Sequence, residues 1–149
     1  FELQHGRDFP IINQLLNVVK NRGKANDVKI LEDIYDPWTT KAIIGNFDML
    51  VSGRVHGAVA GLSLSVPTVI IDYGHEPKAH KLRGFARVAD QEILLCNPGE
   101  PNDIIEKIKL CWNSRILLRE RLNARIPFVR DLARQNFRLV EENILQDYG

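Results

Sequence analysis

Apolar and polar positions follow two different periods along the first two thirds of the chain. Short continuous apolar runs are separated by segments in which apolar residues recur every three or four positions. The runs predict strands, and the periodic segments predict amphipathic helices. The predicted strands lie at residues 28–31, 49–51, 67–72 and 93–96, and the predicted helices at residues 10–20, 37–45, 55–65 and 82–86.

Two of these elements carry the clearest signals. Asp36 precedes Pro37, and a capping residue followed by proline is typical of a helix start. We expect Ile43 and Ile44 of this helix to face the core. The run 67–72 is β-branched and almost continuously apolar, which is typical of a strand covered on both faces in a parallel sheet.

The remainder of the chain is predicted to be helical from Pro101 onward, after a turn at residues 97–99. Pro127 lies inside this region, and proline removes a helix hydrogen bond, so we expect a break or kink there. The arginine-rich polar positions between residues 113 and 138 are predicted to form a solvated helix face, part of which packs on a domain outside this chain.

Strands that alternate with helices predict right-handed crossovers and a parallel sheet. The chain is therefore predicted to be α/β, with one Rossmann-like domain over residues 1–149 and a helical C-terminal region at 101–149. Its sheet is predicted to be open and parallel, flanked by helices. Four strands are few for such a domain, and Phe1 opens a polar stretch. We therefore expect a strand and further sequence upstream.

Composition narrows the function classes. The chain has 149 residues with a formal net charge of +1, and this balance disfavours a dedicated nucleic-acid binder. No apolar run approaches the ~20 residues that span a bilayer. Cys96 and Cys111 form no metal pattern and are predicted to be buried apolar residues, a usage that fits a reducing, cytoplasmic setting.

The strongest candidate site is the turn between the predicted strand 49–51 and the predicted helix 55–65. Ligands of open α/β sheets bind beyond the carboxyl ends of the strands, where this turn lies. The first N–H groups of a helix attract anions. Arg54 adds a positively charged guanidinium with paired N–H donors, and His56 adds a side chain that titrates near neutrality. The predicted binding residues of the turn are Ser52, Gly53, Arg54, Val55 and Gly57.

Three neighbouring features complete this picture. Gly61 shares a helix face with Gly57 and is predicted to allow close packing on the sheet, whereas Gly57 also suits close approach of a ligand. A polar loop, residues 73–81, follows the strand at 67–72 and offers two histidines, with Lys78 or Lys81 as a second cation; its alternative interpretation is a solvated loop. The opening residues 5–8 are a weaker third candidate.

The segment FDMLVSGRVHGAVAGLSLSVPTVIIDYG, residues 47–74, resembles the C-terminal half of the polysaccharide pyruvyl transferases. The resemblance is carried in order by Asp48, Arg54-Val55-His56, Ala60-Gly61, Val66-Pro67, Tyr73 and then Lys78 or Lys81. Two positions depart from the family pattern. Ser65 stands where glycine is common, and the loop after Tyr73 is longer, which leaves the choice of lysine open.

The resemblance implies the C-terminal lobe of a two-lobed enzyme similar to the GT-B glycosyltransferases. It implies transfer of a pyruvyl group from phosphoenolpyruvate to two hydroxyls of a cell-surface polysaccharide precursor, giving a ketal and phosphate. Arg54 and His56 would be catalytic, and Tyr73, Lys78 and Lys81 would contact substrate. No metal or cofactor is implied. The partners would be the missing lobe and a saccharide acceptor, which, when lipid-linked, brings the cytoplasmic enzyme to the membrane surface.

Two other functions fit the same pattern. A nucleotide-sugar glycosyltransferase or epimerase of GT-B type would bind a diphosphate at the turn, although such enzymes carry an acidic residue for ribose and none is evident beyond the turn. A non-catalytic binding lobe would keep the fold without turnover. Because GT-B-like catalysis needs both lobes, we expect the isolated chain to be inactive in any case.

Overall fold

A computed structural model describes residues 8–31, 33–72 and 80–144. By internal contacts the chain divides into two compact units, residues 1–40 and 41–149. In the first unit, helix α1 spans Asp8–Asn21, which confirms the helix predicted at 10–20, and a single 3-10 turn follows at Ala25–Asp27. The strand predicted at 28–31 is wrong. These residues form no strand, and Leu31 is 55% exposed. A run this short and this solvated is not stable as a strand unless it pairs with another strand.

Helix α2, Pro37–Gly45, begins as the sequence predicts. The Asp36 carboxylate accepts the backbone N–H groups of Trp38 and Thr39 at 2.8 and 3.0 Å, so it caps two amides that lack helical partners. The Thr39 hydroxyl also donates to Asp36, and these bonds hold the pKa of that carboxyl below its usual value. Of the two expected core residues, Ile44 is buried and Ile43 half-buried.

The second unit is built on a three-stranded parallel sheet in the order β1-β2-β3, which confirms the predicted α/β class. Strand β1 is Leu50–Ser52, β2 is Thr68–Ile71 and β3 is Leu95–Cys96. Leu50 pairs with Thr68, and Ile71 pairs with Cys96. The third strand is shorter than predicted because Glu92–Leu94 form a 3-10 turn that buries Leu94.

Three helices surround this sheet. Helix α3, Val55–Ser63, connects β1 to β2; α4, His80–Val88, lies between β2 and β3; and α5 spans Pro101–Ile144. Val69 and Ile70 of β2 are both fully buried on opposite faces, as the continuous apolar run predicts. Ile70 packs with α3, α4 and the middle of α5, and Val69 packs with Cys96, Cys111 and Leu118.

Helix α5 departs from two expectations. It continues as one α-helix through Pro127, so the expected break is wrong. Its arginines are also not simply solvated. Three of them donate to backbone carbonyl groups of the same unit: Arg119 to Phe47 at 2.6 Å, Arg125 to Val88 at 2.9 Å and Arg130 to Ser63 at 3.0 Å. Val88 and Ser63 end helices α4 and α3, where unpaired carbonyls favour a cation, and this anchoring holds α5 against the sheet layer.

The two cysteines are buried and unpaired, as predicted for small apolar residues. Burial raises the pKa of the Cys111 thiol to about 11, so it stays protonated at neutral pH. No described helix combines the length and apolar character that crossing a membrane requires.

Candidate functional site

The turn after β1 is closed by its own serine. The Ser52 hydroxyl donates to the carbonyl oxygen of Arg54 at 3.1 Å and accepts the backbone N–H of Arg54 at 3.2 Å. These local bonds turn the chain within two residues, as serine hydroxyls commonly do. The turn therefore presents its next residues beyond the carboxyl end of β1, where the sequence predicts the site.

Arg54 is the N-cap of α3, and its own side chain makes no capping hydrogen bond to the helix. The first intrahelical bond runs from the Ala58 N–H to the Arg54 carbonyl at 3.0 Å, so the amides of Val55, His56 and Gly57 precede the helical ladder. The side chains of Arg54 and His56 are both exposed. One helix terminus thus combines uncapped amides, a guanidinium and an imidazole, a combination suited to an anion.

The glycines of α3 are explained by packing. A Cβ at Gly61 would lie 2.5 Å from Thr68 Oγ1 and 2.8 Å from Leu50 Cδ2, which confirms close packing of the helix on β1 and β2. A Cβ at Gly57 would lie 2.5 Å from Ser52 Oγ. Gly57 therefore makes room for the Ser52 side chain that closes the turn. Glycine is required at this position by a contact within the protein and not by the approach of a ligand.

The other predicted site residues are placed only in part. Tyr73, Lys78 and the histidine at position 75 lie outside the described residues, as do positions 5–7 of the opening loop. Lys81 is exposed in the first turn of α4. No group of three or more histidine, cysteine, aspartate or glutamate side chains in the described ranges is arranged to hold a metal ion.

A buried carboxylate at the end of β2, paired with a largely exposed arginine, was missed by sequence reasoning. Asp72 directly follows this strand, is only 4% exposed, and accepts a hydrogen bond from Nε of Arg83 on α4. The expectation that no carboxylate follows the turn is therefore wrong. The signal for the carboxylate, though not for its pairing with Arg83, was available, since a carboxylate directly after a buried parallel strand lies at the ligand-binding edge of the sheet.

Asp72 and Arg83 line a cavity of about 590 Å³ at the carboxyl ends of β2 and β3. Arg87, Glu92 and Asp103 contribute further charges, and Arg87 Nε donates to Glu92 at 3.0 Å. The rest of the described lining is Leu95, Cys96 and Asn97. Because parallel strands end at one edge, this cavity and the turn after β1 lie on the same edge of the sheet.

Fold and turn together define a parallel α/β protein whose first strand-to-helix turn has the geometry and charge that suit an anion. The family model described as polysaccharide pyruvyl transferase matches residues 2–75, about half of the chain. Over this segment the chain is therefore similar to the polysaccharide pyruvyl transferases. The matched segment contains Arg54, His56 and Tyr73 and ends before Lys78 and Lys81. No curated protein and no solved structure matches the chain.

Proposed function

We propose that this chain forms one wall of an active site that transfers a pyruvyl group from phosphoenolpyruvate to two hydroxyls of a saccharide. The observation that carries the proposal is the exposure of Arg54 and His56 beside the uncapped amides of α3, within the segment that matches the pyruvyl transferase family. The product would be a pyruvate ketal, and inorganic phosphate would be released.

Phosphoenolpyruvate suits this turn because it carries two anionic groups. The amides at the start of α3 and the helix dipole favour one of them, and the Arg54 guanidinium offers paired N–H donors to a phosphate or carboxylate. Charge-assisted hydrogen bonds of this kind contribute about 1.5–3 kcal/mol each. Two such contacts are enough to position a small donor substrate at millimolar concentration or below.

The reaction balances without a redox partner. A general acid protonates the methylene carbon of phosphoenolpyruvate, and the neighbouring carbon becomes oxocarbenium-like. One sugar hydroxyl attacks that carbon, the bond to the phosphate oxygen breaks, and the second hydroxyl closes the ketal. Of the two hydroxyl protons, one replaces the proton given to the methylene carbon and the other leaves with phosphate. The reaction requires no cofactor.

His56 has two roles open to it in this scheme. An imidazole side chain can act as a general acid, so His56 can deliver the methylene proton, an effect worth ~10²–10⁴-fold in rate. It can equally donate a hydrogen bond to the phosphate. The proton-donor role predicts that removing the imidazole lowers kcat, and the phosphate-ligand role predicts that it raises the Michaelis constant for phosphoenolpyruvate instead.

The wider setting is part of the same proposal. A second lobe would face this edge of the sheet in a GT-B-like arrangement and complete the cleft, and Tyr73 with Lys78 or Lys81 would add contacts to the donor. The acceptor would be a precursor of a cell-surface polysaccharide, met in the cytoplasm. A lipid-linked acceptor would bring the enzyme to the membrane surface.

The direct test is removal of the two exposed side chains. Arg54→Ala should weaken phosphoenolpyruvate binding ~10-fold to 100-fold, because a charged donor is lost, as measured by calorimetric titration of the chain. His56→Ala should slow phosphate release from phosphoenolpyruvate in the two-lobed enzyme by at least ~10²-fold. Arg134→Ala is the matched control, since Arg134 is exposed on α5 and pairs with Asp131. Unchanged affinity in Arg54→Ala would contradict the anion assignment, and a rate within a few-fold of the parent in His56→Ala would contradict the role of His56.

A further inference from the structure

The cavity at the ends of β2 and β3 has the size and lining of a binding site. Its volume of about 590 Å³ lies within the range of small-molecule pockets. Asp72 and Asn97 follow the two strands, and Arg83 and Arg87 extend over them from α4. This cavity is separate in sequence from the turn at residues 52–57, and the reaction scheme above uses none of its side chains.

One oxygen in this cavity lacks a donor. Asp72 is 4% exposed, and its Oδ2 accepts from Arg83, whereas its Oδ1 has no hydrogen-bond partner within the described ranges. A buried acceptor of this kind is costly until a donor reaches it. A ligand that donates a hydrogen bond to Asp72 would remove that cost.

The charges that line the cavity disfavour a ligand that is simply an anion or simply a cation. Among the described lining residues, three carboxylates (Asp72, Glu92 and Asp103) stand against two guanidinium groups (Arg83 and Arg87), so this part of the lining is slightly negative and disfavours phosphate. An ammonium group would satisfy Asp72 but not the guanidinium donors. Each recorded bond of the two arginines within the described residues uses Nε, which leaves the outer nitrogens as donors. The ligand must therefore both donate and accept.

We infer that this cavity binds a pair of neighbouring hydroxyls of a saccharide, with Asp72 as the acceptor and the outer nitrogens of Arg83 and Arg87 as donors. A hydroxyl group donates one hydrogen bond and accepts two, which is the combination that the cavity lacks. The inference deepens the proposed function and rests on it for one point, namely that the saccharide is the acceptor.

The position of the cavity fits that use. Strand β2 lies beside β1, and neighbouring strands are ~5 Å apart, so a sugar held at Asp72 would lie next to a donor held at the turn.

A second source of the same hydroxyl pair is a ribose. Asp72 follows Ser52 by 20 positions across one βαβ unit, which is the spacing at which an acidic residue binds ribose in dinucleotide-binding folds.

The test is a titration of the chain, followed by its ¹H–¹⁵N spectrum, with methyl glycosides of galactose, glucose and mannose, and with the uncharged nucleosides uridine and deoxyuridine. We expect at least one hydroxyl-bearing probe to shift the Arg83 Nε–H and Asn97 signals. Asp72→Asn should weaken that binding ~10-fold or more. Asp131→Asn, an exposed carboxylate on α5, should leave it unchanged. A preference for uridine over deoxyuridine would identify ribose as the source, and glycoside binding would identify the acceptor.

Three outcomes overturn the inference: no probe shifts the cavity signals, the shifts lie elsewhere, or Asp72→Asn binds as the parent does. Thermal melts establish whether Asp72→Asn folds. If it does not, Arg87→Ala, which removes a donor with a 76% exposed side chain, should weaken glycoside binding several-fold, and unchanged binding in that variant counts against the inference. Phosphoenolpyruvate titrated into Asp72→Asn should bind within about two-fold of the parent. If phosphoenolpyruvate binds normally and no hydroxyl probe binds, the inference is wrong and the proposed function stands. If a glycoside binds and phosphoenolpyruvate does not, the proposed function is wrong and the inference stands.

Discussion

Ser65 occupies a backbone conformation that usually requires glycine. Its φ is 59°, and it follows the C-cap Leu64 of α3. The N–H of Val66 donates to the Gly61 carbonyl and that of Ser65 to the Leu62 carbonyl, a Schellman motif whose left-handed position favours glycine. This geometry explains why glycine is common at this position in the family pattern, and it means that Ser65 is accommodated at a cost to stability. The same motif ends α1 at Gly23, with φ 69°.

Ser65→Gly should therefore raise the free energy of unfolding by about 1 kcal/mol, because a side chain in the left-handed region is strained. The matched control is Gly23→Ala, which places a side chain in the equivalent position of α1 and should lower stability. Chemical denaturation with circular dichroism measures both. A Ser65→Gly variant that is no more stable than the parent would contradict this explanation.

Gly61 and Gly84 make a second pair with opposite expectations. A Cβ at Gly61 would collide with Thr68 and Leu50, whereas a Cβ at Gly84 of α4 would meet nothing within 4 Å. Gly61→Ala should destabilise the chain by about 1–3 kcal/mol through overpacking. Gly84→Ala should stabilise it by ~0.5–1 kcal/mol, since alanine has the higher helix propensity. Equal effects of the two changes in the same denaturation experiment would show that packing does not decide the role of Gly61.

At the scale of elements, α5 is the least expected feature. A proline inside a helix removes one backbone hydrogen bond and crowds the preceding turn, yet α5 continues through Pro127. Flanking side chains hold it in place: Arg125 and Arg130 bind the carbonyl ends of α4 and α3, and Leu122 and Ile126 are buried in the core. Tertiary packing thus overrides a local breaker.

Pro127→Ala should raise the free energy of unfolding by up to about 3 kcal/mol, because the backbone bond to residue 123 is restored at an exposed position. Arg121→Ala, an exposed change on the same helix, should stay within about 0.5 kcal/mol of the parent. Thermal or urea unfolding of the three proteins provides the comparison. A neutral or destabilising Pro127→Ala would mean that the proline is better accommodated than a regular helix allows.

The sequence predicted the elements whose signals are local. The cap at Asp36, the buried run of β2 and the periodicity of α3 all correspond to observed elements. The errors arose where tertiary context decides. Residues 28–31 have β-branched character but no strand partner, and residues 93–94 join a 3-10 turn instead of β3. Likewise, the arginines of α5 looked solvated because their carbonyl partners lie 37 to 72 positions away in sequence.

At the scale of the molecule, the candidate site residues that the structure describes lie at one edge of the sheet. The turn after β1 was predictable, because strand, glycine, arginine, histidine and helix are contiguous in sequence. The pairing of Asp72 with Arg83 was not, because the two residues are 11 positions apart and no period connects them. The edge therefore combines a positive turn at β1 with a mixed-charge cavity at β2 and β3, and we propose that these bind the donor and the acceptor respectively.

The most direct test of this account is a parallel titration of the chain with phosphoenolpyruvate and with a uridine diphosphate sugar, read from the backbone ¹H–¹⁵N spectrum. We predict that phosphoenolpyruvate shifts the amides of residues 53–57 and binds more tightly than the nucleotide sugar, and that Arg54→Ala needs ~10-fold to 100-fold more phosphoenolpyruvate to produce those shifts. Shifts of the same amides by the nucleotide sugar alone, or no response of residues 53–57 to phosphoenolpyruvate, would contradict the assignment of this turn as the donor site.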